Sequence, residues 1–281
     1  MLRRVFAYTL ETYLVVFCGF MIAFGQSAQS DNAAKEAIDR AQAAYLKKDY
    51  ALAKRELESA LAIRKDWAEP HLLLGMITWQ EGKVDDAIKS VKEAIKYQPN
   101  SPGAHYMMGK LHFEKRDWKR AEEEANLALG QGAKSANLYI LLGDIALTQE
   151  RYEPAVKFFE QALTQLPENG EVANETRIKI EAVKNQVEFQ ANEGNKDFQT
   201  SKVSSRSPIP RPVPFRYVKI KLAGILTEQG RFKPFFVIYA SDQQMEKIYL
   251  QYVTEVQFTP VKKNGAPLPI WRSIDYQAYT R

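Results

Sequence analysis

The stretch WAEPHLLLGMITWQEGKVDDAIKSVKEAIKYQPN, Trp67–Asn100, decides the reading of this chain, because it repeats. One period of 34 residues later the chain reads SPGAHYMMGKLHFEKRDWKRAEEEANLALGQGAK, Ser101–Lys134. Gly75, Gly109 and Gly143 are spaced 34 apart, and Ala41 holds the equivalent place one period earlier. Ala53, Ala87, Ala121 and Ala155 form a second column, and Ala60, Ala94, Ala128 and Ala162 a third. Tyr50, Val84, Trp118 and Tyr152 form a fourth. A fixed period of this length marks a stack of identical supersecondary units, none of which buries its apolar face alone. Each unit reads as helix, tight turn, helix. The Gly/Ala columns sit where two helices approach closely, and the larger column fills the gap beside the turn. Turn signals fall at Glu81-Gly82, Lys115-Arg116-Asp117 and Glu150-Arg151. Pro99 and Pro167 close the second and fourth units, as proline after a helix should. The third unit ends Gly130-Gln131-Gly132-Ala133, which predicts an early end to its second helix.

These columns resemble the tetratricopeptide family over residues 34–169, four repeats. The resemblance implies a protein-binding helical solenoid whose first helices line a concave groove. One groove column is then Tyr45, Trp79, Phe113 and Leu147; a neighbouring one contains Ile38, Leu72, Tyr106 and Ile140; Gln42, Met76, Lys110 and Asp144 lie between them. An aromatic stripe in a groove suits a peptide or helix with apolar anchors. The competing expectation is that part of the stripe packs between helices. A clamp for a C-terminal carboxylate is not visible, and Lys110 alone does not make one. A solenoid needs a terminal cap with a polar outer face. Residues 170–190 have helix-forming composition, with Val172, Ile178, Ile180 and Val183 available for one apolar side.

Catalysis finds little support. No Gly-rich phosphate loop, nucleophile elbow or zinc motif occurs, so the chain reads as a non-enzyme without cofactor. The three histidines are His71, His105 and His112. His71 and His105 share one repeat position and read as packing residues. His105 and His112 share a helix face, but no third ligand stands at motif spacing, so no metal is expected. Glu122-Glu123-Glu124 reads as a solvated helix face. Cys18 is the only cysteine, which excludes an intrachain disulfide.

Outward from the repeats the composition changes. Residues 1–25 carry Arg3 and Arg4, an almost wholly apolar run from Tyr13 and the small residues before Gln26. They read as a secretory signal cleaved after Gly25, or as an uncleaved anchor. The run is short against the about 20 apolar residues of a spanning helix, and lengthening it buries Glu11. Either way the expected location is the periplasm or cell envelope. Residues 191–214 form a linker, first polar, then Pro208-Ile209-Pro210-Arg211-Pro212-Val213-Pro214, a flexible lead and a short extended spacer.

From Tyr217 the period becomes two, with Val218, Ile220 and Leu222 apolar between polar neighbours. A turn at Glu228–Arg231, a strand over Phe235–Tyr239 and a helix from Asp242 to Leu250 follow; then comes a strand around Val253–Phe258, or the helix runs on into it, before a turn at Asn264-Gly265 and a strand over Ile270–Tyr279. Gly230, Phe258-Thr259-Pro260, Asn264, Gly265, Trp271 and Tyr276, in this order, resemble the C-terminal domain of TonB, the energy transducer of bacterial envelopes, over residues 215–281. The resemblance implies a small antiparallel α/β sandwich whose sheet edge pairs with an extended segment of an outer-membrane receptor. The fold class is therefore α+β and multidomain, an all-α solenoid with a capping helix followed by that sandwich. Phe258 and Trp271 read as core; Asn264 and Gly265 serve turn geometry.

From Val213 onward, ten Lys/Arg stand against five Asp/Glu, an excess that equals the whole chain's net +5. Nothing resembles an Arg-rich arm, so nucleic acid is not an expected partner. The chain departs from true transducers, whose anchor helix carries a histidine, because its first histidine is His71. The leading expectation is an envelope adaptor that binds other proteins, outer-membrane components among them. A transport-energy transducer is the alternative, and an edge strand offers a route to a homodimer. Membrane contact is expected only through residues 1–25.

Overall fold

The computed structural model describes residues 29–192, 198–199, 203–205 and 217–279. The expected signal or anchor and the proline-rich spacer lie outside them. Helices α1 (29–46), α2 (Tyr50–Ile63), α3 (Ala68–Gln80), α4 (Val84–Tyr97) and α5 (Pro102–Glu114) come first. Then follow α6 (Trp118–Gly130), α7 (Ala136–Thr148), α8 (Tyr152–Leu163) and α9 (Glu171–Ala191). The chain divides into two compact units between Leu111 and His112, inside α5.

In the first unit the columns behave as the spacing demands. Ala41, Ala53, Ala60, Ala87 and Ala94 are buried. A Cβ on Gly75 would stand 2.5 Å from Val91 Cγ2, so only glycine lets α3 and α4 approach this closely. In the second unit Ala121, Ala128, Ala155 and Ala162 are buried in the same way. A Cβ on Gly143 would meet the Phe159 ring at 2.5 Å. Gly109 is buried too.

All four intra-repeat turns share one construction, at positions 34 apart. Lys48, Gly82, Arg116 and Glu150 have φ of 60°, 76°, 60° and 58°. Each N–H bonds to the carbonyl of Tyr45, Trp79, Phe113 or Leu147, and the next N–H reaches back to Ala44, Thr78, His112 or Ala146. This is the left-handed helix terminus that glycine favours, and three of the four turns make it without glycine. Asp49 and Asp117 then cap α2 and α6, accepting from the N–H groups of Leu52 and Arg120. The expected early end of the second helix of the third repeat amounts to one residue: α6 runs to Gly130 with 13 residues, one fewer than α2 and α4 and one more than α8, and a left-handed Gly132 (φ 92°) closes it in the same manner.

In the second unit a three-stranded antiparallel sheet follows the helices. β3 (Tyr217–Leu226) lies between β4 (Phe232–Ala240) and β8 (Ile270–Tyr279). α10 (Gln243–Glu255) is capped by Asp242, whose carboxylate accepts from the Met245 N–H, and it runs on past Leu250 into the Val253–Phe258 segment, the second of the two expectations there. Short strands β5 (Gln257–Phe258), β6 (Lys262–Lys263) and β7 (Ala266–Pro267) come between α10 and β8. Asn264 (φ 52°) and Gly265 (φ 81°) turn β6 into β7, as their two-residue hairpin chemistry requires. Gly230 (φ 76°) is irreplaceable for a second reason: a Cβ there would fall 1.9 Å from the Phe258 carbonyl oxygen. Inside the polar segment expected as a flexible lead, β1 (Phe198–Gln199) pairs with β6 and β2 (Val203–Ser205) with β5. Main-chain bonds to the short strands need no apolar pattern, so composition does not reveal them.

The central strand is buried on both faces. Ile220, Leu222 and Leu226 join Phe232, Ile270, Tyr249 and Tyr252 in a core with α10. Ala223, Ile225 and Trp271 join Leu147, Phe159, Ile180 and Val183 in a second core with α7, α8 and α9. The sheet therefore shares a hydrophobic core with the fourth repeat. α9 is correspondingly buried along two stripes. Ala173, Thr176, Ile180 and Val183 make one, and Lys179, Ala182, Gln186 and Phe189 the other. Val172 and Ile178, expected on the apolar side, are about half exposed. The 3.6-residue period turns them outward once two other stripes carry the burial.

Candidate functional site

The columns expected to line a groove fall partly in each unit. In the first, α1 supplies Gln42 and Tyr45, α3 supplies Met76 and Trp79, and α5 supplies Tyr106 and Lys110. Tyr45, Met76, Trp79, Tyr106 and Lys110 are half-buried, and Gln42 is exposed. Lys110 Nζ stands 3.7 Å from the centre of the Trp79 ring, a close cation–π contact. Gln42 Nε2 donates to Glu69 Oε1 at 2.8 Å. Tyr45 leans on Tyr50 beside the turn, ring centres 6.0 Å apart. Burial pushes the Tyr106 phenol above its ordinary value. The face is thus amphipathic, with aromatic surface, one ammonium and one carboxylate–amide pair. Ile38, from the neighbouring column, is core.

In the second unit the same columns meet a different environment. Leu147, expected on an open groove, is fully buried among residues of β3, β4 and β8. Phe113 packs edge-on against Trp118 at 5.0 Å and against Phe236 of β4 at 5.5 Å. Asp144 accepts from Lys179 Nζ at 2.9 Å, and both side chains are largely buried. Burial holds the Asp144 carboxyl above its ordinary value, while the nearby Lys179 works in the opposite direction. The Lys179 ammonium also faces three rings, 4.9 Å from Phe235, 5.6 Å from Phe159 and 5.7 Å from Phe236. At the rim Lys221 pairs with Glu150 at 2.7 Å, and Arg116 pairs with Glu246. Sequence alone missed this cover, since nothing in the repeats announces that a strand some ninety positions later fills their face.

Beside that rim lies an open polar cleft of about 410 Å³, lined by Glu150, Tyr152, Gln186, Lys221, Arg272 and Asp275 among others. Lys221 is paired with Glu150, and Arg272 lies over the Phe189 ring at 5.3 Å. Burial, then Glu150, pushes the Tyr152 phenol up to about 12. His71 and His105 each place Nε2 at 2.9 and 2.8 Å from the carbonyl six residues earlier, Lys65 and Pro99. A carbonyl only accepts, so Nε2 carries the proton and the pair of histidines fastens the loops between repeats. Among the described residues no three His, Cys, Asp or Glu side chains converge as a metal site would.

Of the C-terminal motif residues, Trp271 is fully buried and Phe258 half-buried on the α10 core. Pro260 is half-buried. Tyr276 stands opposite Ile220 in the β3–β8 ladder. Trp271 faces the fourth repeat and not α10.

Known proteins match the helical part. Tetratricopeptide-repeat family models match residues 78–145 and 136–169. The Hsp70-Hsp90 organising protein of Plasmodium falciparum is 24 % identical over 130 residues, 44 % of this chain and 23 % of that protein. A TPR repeat-containing protein of Methanocaldococcus jannaschii is 30 % identical over 77 residues, 27 % of this chain and 13 % of that protein. The chain therefore spans less than a quarter of either relative. Similar solved structures include MamA, 19 % identical, covering 58 % of this chain and 96 % of that one with a TM-score of 0.43. Another is YrrB, a TPR protein with an unusual peptide-binding site, 20 % identical over 49 % of this chain and 66 % of that one, TM-score 0.42. The pilF protein of Pseudomonas aeruginosa is 20 % identical over 52 % and 67 %, TM-score 0.46. Residues 78–169 thus match tetratricopeptide repeats, a repeat class that mediates protein–protein and peptide binding, and a small antiparallel sheet follows them.

Proposed function

We propose that this chain is a non-enzymatic adaptor of the bacterial cell envelope, holding a peptide or helix of a partner protein on the concave face of its first unit. The observation that carries this reading is the half-buried set Tyr45, Trp79, Tyr106 and Lys110, contributed by three successive first helices. Aromatic anchors beside a charge are the composition of binding hot spots. The envelope part rests on the basic-then-apolar segment of residues 1–25. The experiment is crosslinking mass spectrometry of the full chain in envelope fractions, repeated with Trp79→Ala and with Lys110→Glu. Partner crosslinks that map to α1, α3 and α5 and vanish in both variants support the reading. Crosslinks unchanged by both variants sink it.

A second reading is a TonB-family energy transducer, in which an edge of the C-terminal sheet pairs with an extended receptor segment. The order β3, β4, α10, β8 and the Asn264-Gly265 hairpin favour it. It requires retention in the inner membrane. Among the described residues no helix is long and apolar enough to cross a membrane, so retention falls to residues 1–28. N-terminal sequencing decides: a mature protein beginning at Gln26 excludes the transducer. The same outer edges of the sheet are where a homodimer would form, which sedimentation of the full chain tests.

A further inference from the structure

The cover on the fourth repeat is built into β4 by two irregularities. In a regular strand neighbouring side chains point to opposite faces. Here the register with β3 jumps from Ala223↔Phe236 to Gly224↔Pro234, leaving Phe235 as an extra residue. It jumps again from Lys221↔Tyr239 to Leu222↔Val237, leaving Ile238 over. Bulges re-aim side chains. These two bring Phe235, Phe236 and Ile238 together into the core shared with Leu147. Gly224, opposite the first bulge, admits no side chain, since a Cβ would lie 2.2 Å from the Lys233 carbonyl oxygen. The repeat side is equally fitted: Leu147 and Phe113 are groove positions, and the Lys179 ammonium, held by Asp144, faces both phenylalanine rings.

We propose that β4 is an intramolecular ligand of the repeat-four concave face, which closes that part of the groove to partners. The face recognises an extended strand with two adjacent aromatic rings on one side. A partner segment reaches it only by displacing β4. Binding at the groove is thereby confined to the first unit's aromatic and Lys110 positions.

The test uses the full chain and a fluorescent peptide with the sequence of Phe232–Ala240, flanked by lysines for solubility. Anisotropy is read on the wild type, on Phe235→Ala/Phe236→Ala, and on Arg116→Glu/Glu150→Lys, which makes both rim ion pairs repulsive without touching the core. A site that is almost always filled weakens apparent affinity by the fraction of time it stands open. Both variants should therefore bind at least about 100-fold more tightly than the wild type. A peptide with serine at both phenylalanine positions should bind none of them. The proposal is overturned if the wild type binds as tightly as the variants, because the face is then open. It is equally overturned if no folded variant binds, because β4 is then not what the face recognises. Should the phenylalanine variant fail to fold by circular dichroism, the rim variant decides between the same outcomes. Trp79 and Lys110 take no part, so this result is independent of whether the first unit binds a partner.

Discussion

The groove-column positions of α3 and α7 are two periods apart, yet Trp79 is half-buried on an amphipathic face and Leu147 is fully buried under a sheet. The turn beside each is the same, down to the two backbone bonds from Gly82 and Lys83 and from Glu150 and Arg151. Local geometry therefore does not separate them. What separates them is an aliphatic side chain, an Asp144 that Lys179 neutralises, and a strand bulged so that three apolar side chains converge there. The comparison teaches that a repeat column fixes where a side chain stands, while what covers it is decided by chain from outside the repeat.

The largest expected effect tests whether the sheet and the fourth repeat are one core. Trp271→Ala should cost about 3–5 kcal/mol in denaturant unfolding, as for other large buried aromatics. Probes on β3 and on α8 should lose stability together. Separate transitions would break the comparison. Trp79→Ala, at the equivalent place in the open face, should stay within about 1 kcal/mol.

Next comes the buried pair. Lys179→Ala leaves Asp144 uncompensated and should cost about 3 kcal/mol, whereas Lys179→Met with Asp144→Leu should cost much less. A double-mutant cycle reads the difference. The pH dependence follows from the raised Asp144 carboxyl. Its folded form takes up a proton before the unfolded form does. This group's contribution to stability therefore grows as pH falls through the folded value towards 3.8, and is smallest above that window. Asp144→Asn should remove that slope. A slope unchanged in the variant assigns it to other groups.

Gly143→Ala should cost about 1–3 kcal/mol, because the Phe159 ring at 2.5 Å must shift within a packed core. The smallest effect sharpens the likeness of the turns. Lys48→Gly, exposed and left-handed like Gly82, should raise stability by about 1 kcal/mol, measured as a shift in unfolding midpoint. No gain would mean that Lys48 makes a contact that offsets its strain.

The 34-residue period, the small-residue columns, the turns and the order of strands and α10 were legible from residue type, because each rests on short-range geometry. Gly75 and Gly143 abut Val91 and Phe159 as the columns require, and Asn264-Gly265 makes its hairpin. Trp271 was readable as core, but not which core. The left-handed turn position was hidden in three repeats, since lysine, arginine and glutamate stand where glycine is the usual signal. The strands in the polar segment were hidden because main-chain pairing is indifferent to composition. By itself the sequence determined the repeats, their concave columns and a final α/β module. Only the tertiary structure decided which columns stay accessible. A groove and a core differ not in the side chains that line them but in whether another apolar surface arrives, and that surface came from a strand brought close by folding alone.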